Sequence, residues 1–389
     1  MDVLILGGGP AGLATARGYR EAGGHGRVTL VAGEGHVPYN RPPLTKDFLR
    51  GESARGDLPM VPAGWFAERG VELVHGTASD LDPDRRRVSL ADGRELGYDA
   101  CVLATGSTPM RPPVPGAEDL GLHVMRTIED SEALRSAAGR EGARVVVIGS
   151  GFIGCEAAAS LAVRGAQVTV LAEDDVPQAS RLGPEAGERI AGWLTQAGAE
   201  LRPGTPVARI ERTPGGFRVH VESGGPADAE VVLLATGVRP NGELAGPAGL
   251  DRTASGRIGA DVHLRTLADG LLVAGDLAAA RNAAVHRSLA VEHWGEALNQ
   301  GEVAGRTLAG DDSASWATAP GFWSTIGDHT LKHVAWGDGF DDARFRAYEA
   351  GAFSVHYGLD GVCVGVLTHD RDEDYERGRE LVESGAALP

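Results

Sequence analysis

An α/β fold is predicted, with two doubly wound parallel sheets and a smaller α+β region at the C-terminus. Three observations predict it. Residues 2–12, DVLILGGGPAG, run from an apolar strand into G-x-G-x-x-G at Gly7, Gly9 and Gly12. Residues 144–154, RVVVIGSGFIG, do the same at Gly149, Gly151 and Gly154. The sequence LATG then recurs at the matching place in each repeat, once through Leu103, Ala104, Thr105 and Gly106 and again ending on Gly237. This is duplication on the scale of a whole domain.

The glycine pattern alone says little, because a chain with 57 glycines in 389 residues contains about one such match by chance. Its context carries the information. Residues 3–6 and 145–148 are four-residue apolar runs, as expected of strands buried on both faces. Apolar residues then open a helix: Ala11, Leu13, Ala14 and Ala16 in one repeat, Ile153, Ala157, Ala158 and Leu161 in the other. In such a turn the first glycine permits the bend, the second admits a pyrophosphate, and the third lets helix pack on strand. The helix N-terminus meets the phosphate with N–H groups and a positive dipole end. Each repeat therefore reads as a Rossmann-like nucleotide-binding domain. Two such domains in one chain imply electron transfer between two nucleotides.

The elements follow in order. After the first helix comes a strand at residues 27–31, then VPYNRPPLTKDFLRG, where Pro42 and Pro43 are expected to exclude helix before Leu44. Strands are expected at 71–74, 87–90 and 100–104. Pro109, Pro112, Pro113 and Pro115 mark a linker and a boundary near residue 108. The second repeat adds a strand at 168–171, a helix at 187–197, and strands at 208–212 and 217–221. GLLVAGDLA then ends a strand on Gly275 and Asp276, placing a carboxylate at the edge where doubly wound sheets bind ligands. Asp276 suits polyol hydroxyls, or serves as a helix N-cap. From residue 319 the pattern alternates at 343–348, 353–357 and 362–367, then ends in an acidic helix at 371–384, which reads as a small α+β domain.

Composition narrows the function. The net charge of −17 argues against nucleic acid as a partner. No apolar run reaches the ~18 residues of a membrane helix, and no signal peptide precedes the first strand, so a cytoplasmic protein is expected. Cys101, Cys155 and Cys363 form no C-x-x-C or C-x-x-x-x-C and read as buried apolar residues, not as a redox pair. No metal-ligand spacing occurs. Of 37 basic residues only Lys46 and Lys332 are lysine, which suggests a need for a compact ammonium where lysine is kept.

Taken together, GGGPAG, PYNRPPLTKDFL, LATGSTP, GSGFIGCE, LLATGVRPN, LLVAGD, VEHWGEALNQG and GFWS make the chain resemble the oxygenase-coupled, NADH-dependent ferredoxin reductases, over nearly its full length. These include putidaredoxin reductase and rubredoxin reductase and are related to apoptosis-inducing factor. The resemblance implies a glutathione reductase-like arrangement: an FAD domain from residues 1–108 and 230–318, an NAD(P)H domain at 109–229, and a C-terminal domain at 319–389. Gly7, Gly9, Pro10, Ala11 and Gly12 would hold FAD, with Arg41, Lys46, Ala104, Thr105, Gly106, Arg111, Gly237, Gly275 and Asp276. Glu156 would face the flavin and pair with Lys46, the two forming the catalytic pair. Glu292, His293, Trp294 and Trp323 would lie near the flavin, with His293 structural. Thr45 stands where the family usually has serine, and Thr325, Ile326 and Gly327 replace the usual residues after FWS.

The chain departs from the family at two acids. The carboxylate after the second strand of each repeat normally binds ribose hydroxyls, and here Gly33 and Ala172 occupy those positions, with Glu34 and Glu173 one residue later. Glu173, Asp174 and Asp175 would repel a 2′-phosphate, favouring NADH over NADPH, with Gly149, Gly151, Phe152, Ile153 and Gly154 holding it. The expected activity is hydride transfer from NADH to FAD, then single electrons to a small iron–sulfur ferredoxin or rubredoxin serving an oxygenase such as a cytochrome P450. An NADH oxidase or diaphorase and an NADH-sensing interaction protein are the alternatives. A monomer or weak homodimer is expected. From residue 319 there are six basic and thirteen acidic residues, so docking an acidic ferredoxin would need a local basic patch, for which Arg281, Arg287 and Arg306 are candidates.

Overall fold

Apolar strands pair edge to edge to satisfy their backbone, and this chain builds a parallel sheet around such strands twice. The computed structural model describes residues 1–246 and 248–389. By contacts the chain divides into two units, one of Met1–Asn40, Leu58–Thr108 and Arg239–Phe322, the other of Arg41–Asp57, Pro109–Val238 and Trp323–Pro389.

The first unit is built on a parallel sheet in the order Leu271–Val273, Ala100–Leu103, Val3–Leu6, Val28–Ala32, Val71–His75. Its first four strands are buried along their whole length, as a composition that is apolar except for Thr29 favours. Helix Pro10–Glu21 follows the first glycine turn and packs on helix Trp294–Leu308. Gly301 makes that crossing possible, since a β-carbon there would lie 2.3 Å from the carbonyl oxygen of Ala11. An antiparallel sheet of Ala78–Asp82, Arg87–Leu90 and Glu95–Gly97 completes this part of the unit.

The second unit repeats the parallel plan in the order Glu200–Arg202, Gln167–Leu171, Arg144–Ile148, Val231–Leu234. Against it lies an antiparallel layer of Val207–Thr213, Gly216–Val221 and Ala227–Ala229, whose Ile210, Phe217 and Val219 share one core cluster with Val146, Ile148 and Leu171. The chain's last part forms a five-stranded sheet in the order Gly321–Ile326, His329–Ala335, Val362–His369, Phe353–Leu359, Asp342–Ala347. Helix Asp372–Ser384 packs on three of its strands, chiefly Val362–His369.

Several details differ from the sequence expectation. Val231–Leu234 pairs with Arg144–Ile148, so the return to the first unit begins at Arg239 and not at residue 230. Trp323–Pro389, which carries most of the C-terminal sheet, and Arg41–Asp57 group with the second unit. Pro42 and Pro43 do not delay helix. They open the 3₁₀ turn Pro42–Thr45, because proline lacks only an N–H that a first turn leaves unpaired anyway. The helix expected at 187–197 begins earlier, at Pro184, for the same reason.

Candidate active site

Both glycine turns show the same division of labour. Gly7 has φ +131°, and a β-carbon there would meet the Ala104 carbonyl oxygen at 2.0 Å. Gly12 would place one 1.9 Å from the Gly7 carbonyl oxygen. In the second turn Gly149, at φ +106°, faces Ala235 O at 2.4 Å, and Gly154 faces Gly149 O at 2.2 Å. The middle glycines differ. A methyl at Gly9 would meet nothing within 4 Å, and at Gly151 only the Gln178 amide at 3.7 Å. The outer glycines are thus required by the protein's own packing, while the middle ones leave an open cradle at a helix N-terminus. Neither helix has a side-chain cap or an acid in its first turn, which suits an anionic ligand. The LATG repeats are explained too, since Ala104 and Ala235 are the residues on which the first glycine of each turn rests.

In the first unit, Asp276 sits just beyond Leu271–Val273, in the 3₁₀ turn Gly275–Leu277, and accepts a hydrogen bond from Ser107 Oγ at 2.6 Å. Strands in this sheet are parallel, so Asp276 and the glycine turn share the C-terminal edge. Glu34 lies past Val28–Ala32, at the same edge, and accepts a hydrogen bond from the Tyr39 hydroxyl. Thr105 Oγ1 donates to Asn241 O at 2.8 Å, and Gly106 takes positive φ at the turn beside it. Gln300 holds the Gly275 N–H at 2.8 Å. Glu292 pairs with Arg257, His293 precedes helix Trp294–Leu308 as its N-cap and tilts against Phe322, and Trp294 opens that helix.

In the second unit, Lys46 and Glu156 come together 110 residues apart in sequence, Nζ to Oε2 at 2.7 Å. Glu156 lies in helix Phe152–Val163, directly after the second glycine turn, and is 5% exposed. Lys46 is held by its neighbours' backbone. Ser160 Oγ donates to Thr45 O and Ser131 Oγ to Leu44 O, both at 2.7 Å, and Arg164 donates to Arg50 O at 2.6 Å. Such fixing of a short segment limits where the ammonium can go. Lys332, the other lysine, makes an exposed pair with Asp372. The need for a compact ammonium therefore falls on Lys46 alone.

The remaining candidates in this unit are dispersed. Ile153 and Trp323 are exposed, Phe152 is half-buried, and the Arg181 guanidinium lies 5.9 Å from the Phe152 ring centroid. Glu173 is exposed just past Gln167–Leu171, whereas Ala172 is fully buried. Arg41 donates to Arg126 O at 2.7 Å. Arg111, expected at the cofactor, donates to the carbonyls of Ala117 and Asp119 at 2.8 and 3.0 Å, a role that ties down the proline-rich linker. Gly237 takes φ +94°, and its carbonyl accepts from Met110 N at 2.8 Å. Two further residues, to which the sequence assigns no role at the site, bind Glu156. Thr45 Oγ1 donates to Glu156 Oε2 at 2.5 Å, and Ser324 Oγ to Glu156 Oε1 at 2.7 Å. The only signal for them was their place inside PYNRPPLTK and GFWS.

All three cysteines are free and buried, and burial pushes each thiol above its usual range. Among the described residues no group of His, Cys, Asp or Glu is placed to hold a metal, and no helix is long and apolar enough to cross a membrane.

Residues 1–301 match the model of the pyridine nucleotide-disulphide oxidoreductases. The chain belongs to that family. Within it, this oxidoreductase is 32% identical over 391 residues to rhodocoxin reductase of Rhodococcus erythropolis, covering 100% of this chain and 91% of the relative. Putidaredoxin reductase of Pseudomonas putida is 30% identical over 393 residues, covering 98% and 91%. Among solved structures it superposes on the covalent putidaredoxin reductase–putidaredoxin complex with a TM-score of 0.92 and 29% identity, covering 99% of this chain and 93% of that one. A ferredoxin reductase from Rhodopseudomonas palustris gives 0.93 and 30%, covering 100% and 95%. These relatives place the oxidoreductase in the ferredoxin reductase branch, consistent with its lack of a paired, accessible cysteine couple.

Proposed function

We infer that the chain is an FAD-dependent, NADH-oxidising ferredoxin reductase that passes electrons to a small iron–sulfur protein serving an oxygenase, in the cytoplasm. The observation that carries this reading is the buried Lys46–Glu156 pair on the helix of the second glycine turn, in a chain with two open nucleotide cradles. Gly7, Gly9 and Gly12 hold the FAD pyrophosphate, Asp276 its ribityl hydroxyls, and Glu34 its ribose. Gly149, Gly151 and Gly154 hold the nicotinamide dinucleotide. Bound FAD supplies the conversion of a two-electron donor into one-electron transfers.

The residues do the rest. The Lys46 ammonium presents positive charge that Glu156 holds in place, in a setting too dry for water to screen it well. Glu173, Asp174 and Asp175 are all exposed beyond the second sheet's edge, where they repel a 2′-phosphate. NADH is therefore expected to give a kcat/KM at least tenfold above NADPH, measured as cofactor-dependent dye reduction, a factor corresponding to about 1.4 kcal/mol. A preference for NADPH would overturn the assignment of these acids. Arg306 is bound by Asp311 through two bonds of 2.7 and 2.9 Å, which leaves Arg281 as the exposed arginine of the docking candidates.

Cytochrome c reduction, with and without a panel of small ferredoxins, tests the function. At least one ferredoxin is expected to raise the rate strongly. Rates indifferent to every ferredoxin, together with rapid oxygen consumption, would instead mark an NADH oxidase. Buried thiols pushed out of the reactive range already weigh against that reading.

A further inference from the structure

The Glu156 carboxylate is fully used. Oε2 accepts from Thr45 Oγ1 at 2.5 Å and Lys46 Nζ at 2.7 Å, while Oε1 accepts from Ser324 Oγ at 2.7 Å and Thr325 N at 3.2 Å. A carboxylate has about four acceptor positions, and four donors occupy them. They come from two segments remote in sequence, the 3₁₀ turn Pro42–Thr45 with the lysine after it, and strand Gly321–Ile326.

Lys46 has three N–H donors. One goes to Glu156 and one to Pro42 O at 3.0 Å, and the third reaches only Thr45 Oγ1 at 3.5 Å. An ammonium beside an unsaturated carboxylate would turn further donors toward it. Here the two hydroxyls forestall this, because Thr45 shares Oε2 and Ser324 helps fill Oε1. Both are almost wholly buried, at 3% and 1% exposure, so water does not compete for those positions.

We propose that Thr45 and Ser324 are positioning residues of the reductase: their hydroxyls fill Glu156 so that Lys46 keeps one N–H and its positive field for the flavin. This rests on the reading that Lys46 flanks FAD. Removing either hydroxyl frees an acceptor on Glu156, draws the ammonium more fully onto the carboxylate, and weakens its stabilisation of negative charge on the reduced cofactor.

The test uses purified, FAD-loaded Thr45→Val, Thr45→Ser, Ser324→Ala and Lys46→Met. Each is examined for flavin midpoint potential, by dye-coupled titration, and for the stopped-flow rate of reduction by NADH. Thr45→Val keeps the side chain's shape and Thr45→Ser keeps its hydroxyl, while Ser324→Ala is a small truncation in case the valine variant fails to fold. Thr45→Val and Ser324→Ala are expected to shift the potential negative and slow reduction about tenfold, in line with the loss of a hydrogen bond to a charged group, with Thr45→Ser close to the parent. A merely structural role would lower the melting temperature and leave the potential unmoved, which would overturn the proposal. If Lys46→Met changes the potential and the hydroxyl variants do not, the proposal falls while the Lys46 reading stands. If Lys46→Met leaves it unchanged, both fall.

Discussion

Glu156→Ala is expected to destabilise the second unit by about 3–5 kcal/mol, because removing one partner of a buried ion pair leaves the other charged and uncompensated. Lys46 has a side chain only 13% exposed, and its segment is tied down by Ser131, Ser160 and Arg164, so it cannot simply swing into water. The same change strands the Ser324 hydroxyl and the Thr325 N–H, both now bonded to Oε1. Each buried donor left without an acceptor adds to the loss. Urea denaturation followed by tryptophan fluorescence measures the effect, with Trp193 reporting on this unit. Glu156→Gln keeps the shape and one carbonyl acceptor, and should lose less than Glu156→Ala. A change below about 0.5 kcal/mol for alanine, the range of an ordinary surface substitution, would mean that the pair is solvated in solution and carries little of the fold.

Valine at Gly12 or at Gly154 should separate the two nucleotides. At Gly12 the first β-carbon would lie 1.9 Å from the Gly7 carbonyl oxygen, and at Gly154 2.2 Å from that of Gly149. Neither neighbour is a flexible side chain that can move aside, so the glycine turn itself must deform. Gly12→Val is expected to purify without the yellow of bound FAD. Gly154→Val should stay yellow but lose NADH, with KM rising by roughly tenfold to a hundredfold for the 1–3 kcal/mol typical of overpacking. The absorbance ratio at 450 and 280 nm reads the first, and steady-state kinetics the second. If Gly154→Val lost FAD and Gly12→Val kept it, the assignment of nucleotides to turns would be reversed.

Much of this was legible before any coordinates. A strand buried on both faces favours an apolar run, so residues 3–6 and 145–148 announce themselves, and a tight turn into a helix needs glycine at fixed places. The C-terminal alternation likewise marked Asp342–Ala347 and Phe353–Leu359. Strand Gly321–Ile326 and helix start Pro184 were harder, since the first residues of GFWSTI do not alternate as a half-buried strand should and proline marks a first turn as readily as a break. Arg111 was misleading because arginine serves backbone carbonyls as readily as phosphates, and only its bonds to Ala117 and Asp119 tell which.

The local grammar of the chain determined that it binds two nucleotides and that lysine is kept at Lys46, since turns, strands and composition are properties of neighbouring residues. The resemblance already implied its pairing with Glu156, and only the tertiary structure decided which other groups share that carboxylate. Thr45 and Lys46 lie some 110 residues before Glu156, and Ser324 168 after it. No periodicity links them, because a hydrogen bond between distant segments leaves no spacing in the sequence. Folding brings four donors onto one buried carboxylate, and the low dielectric there makes every one of them count.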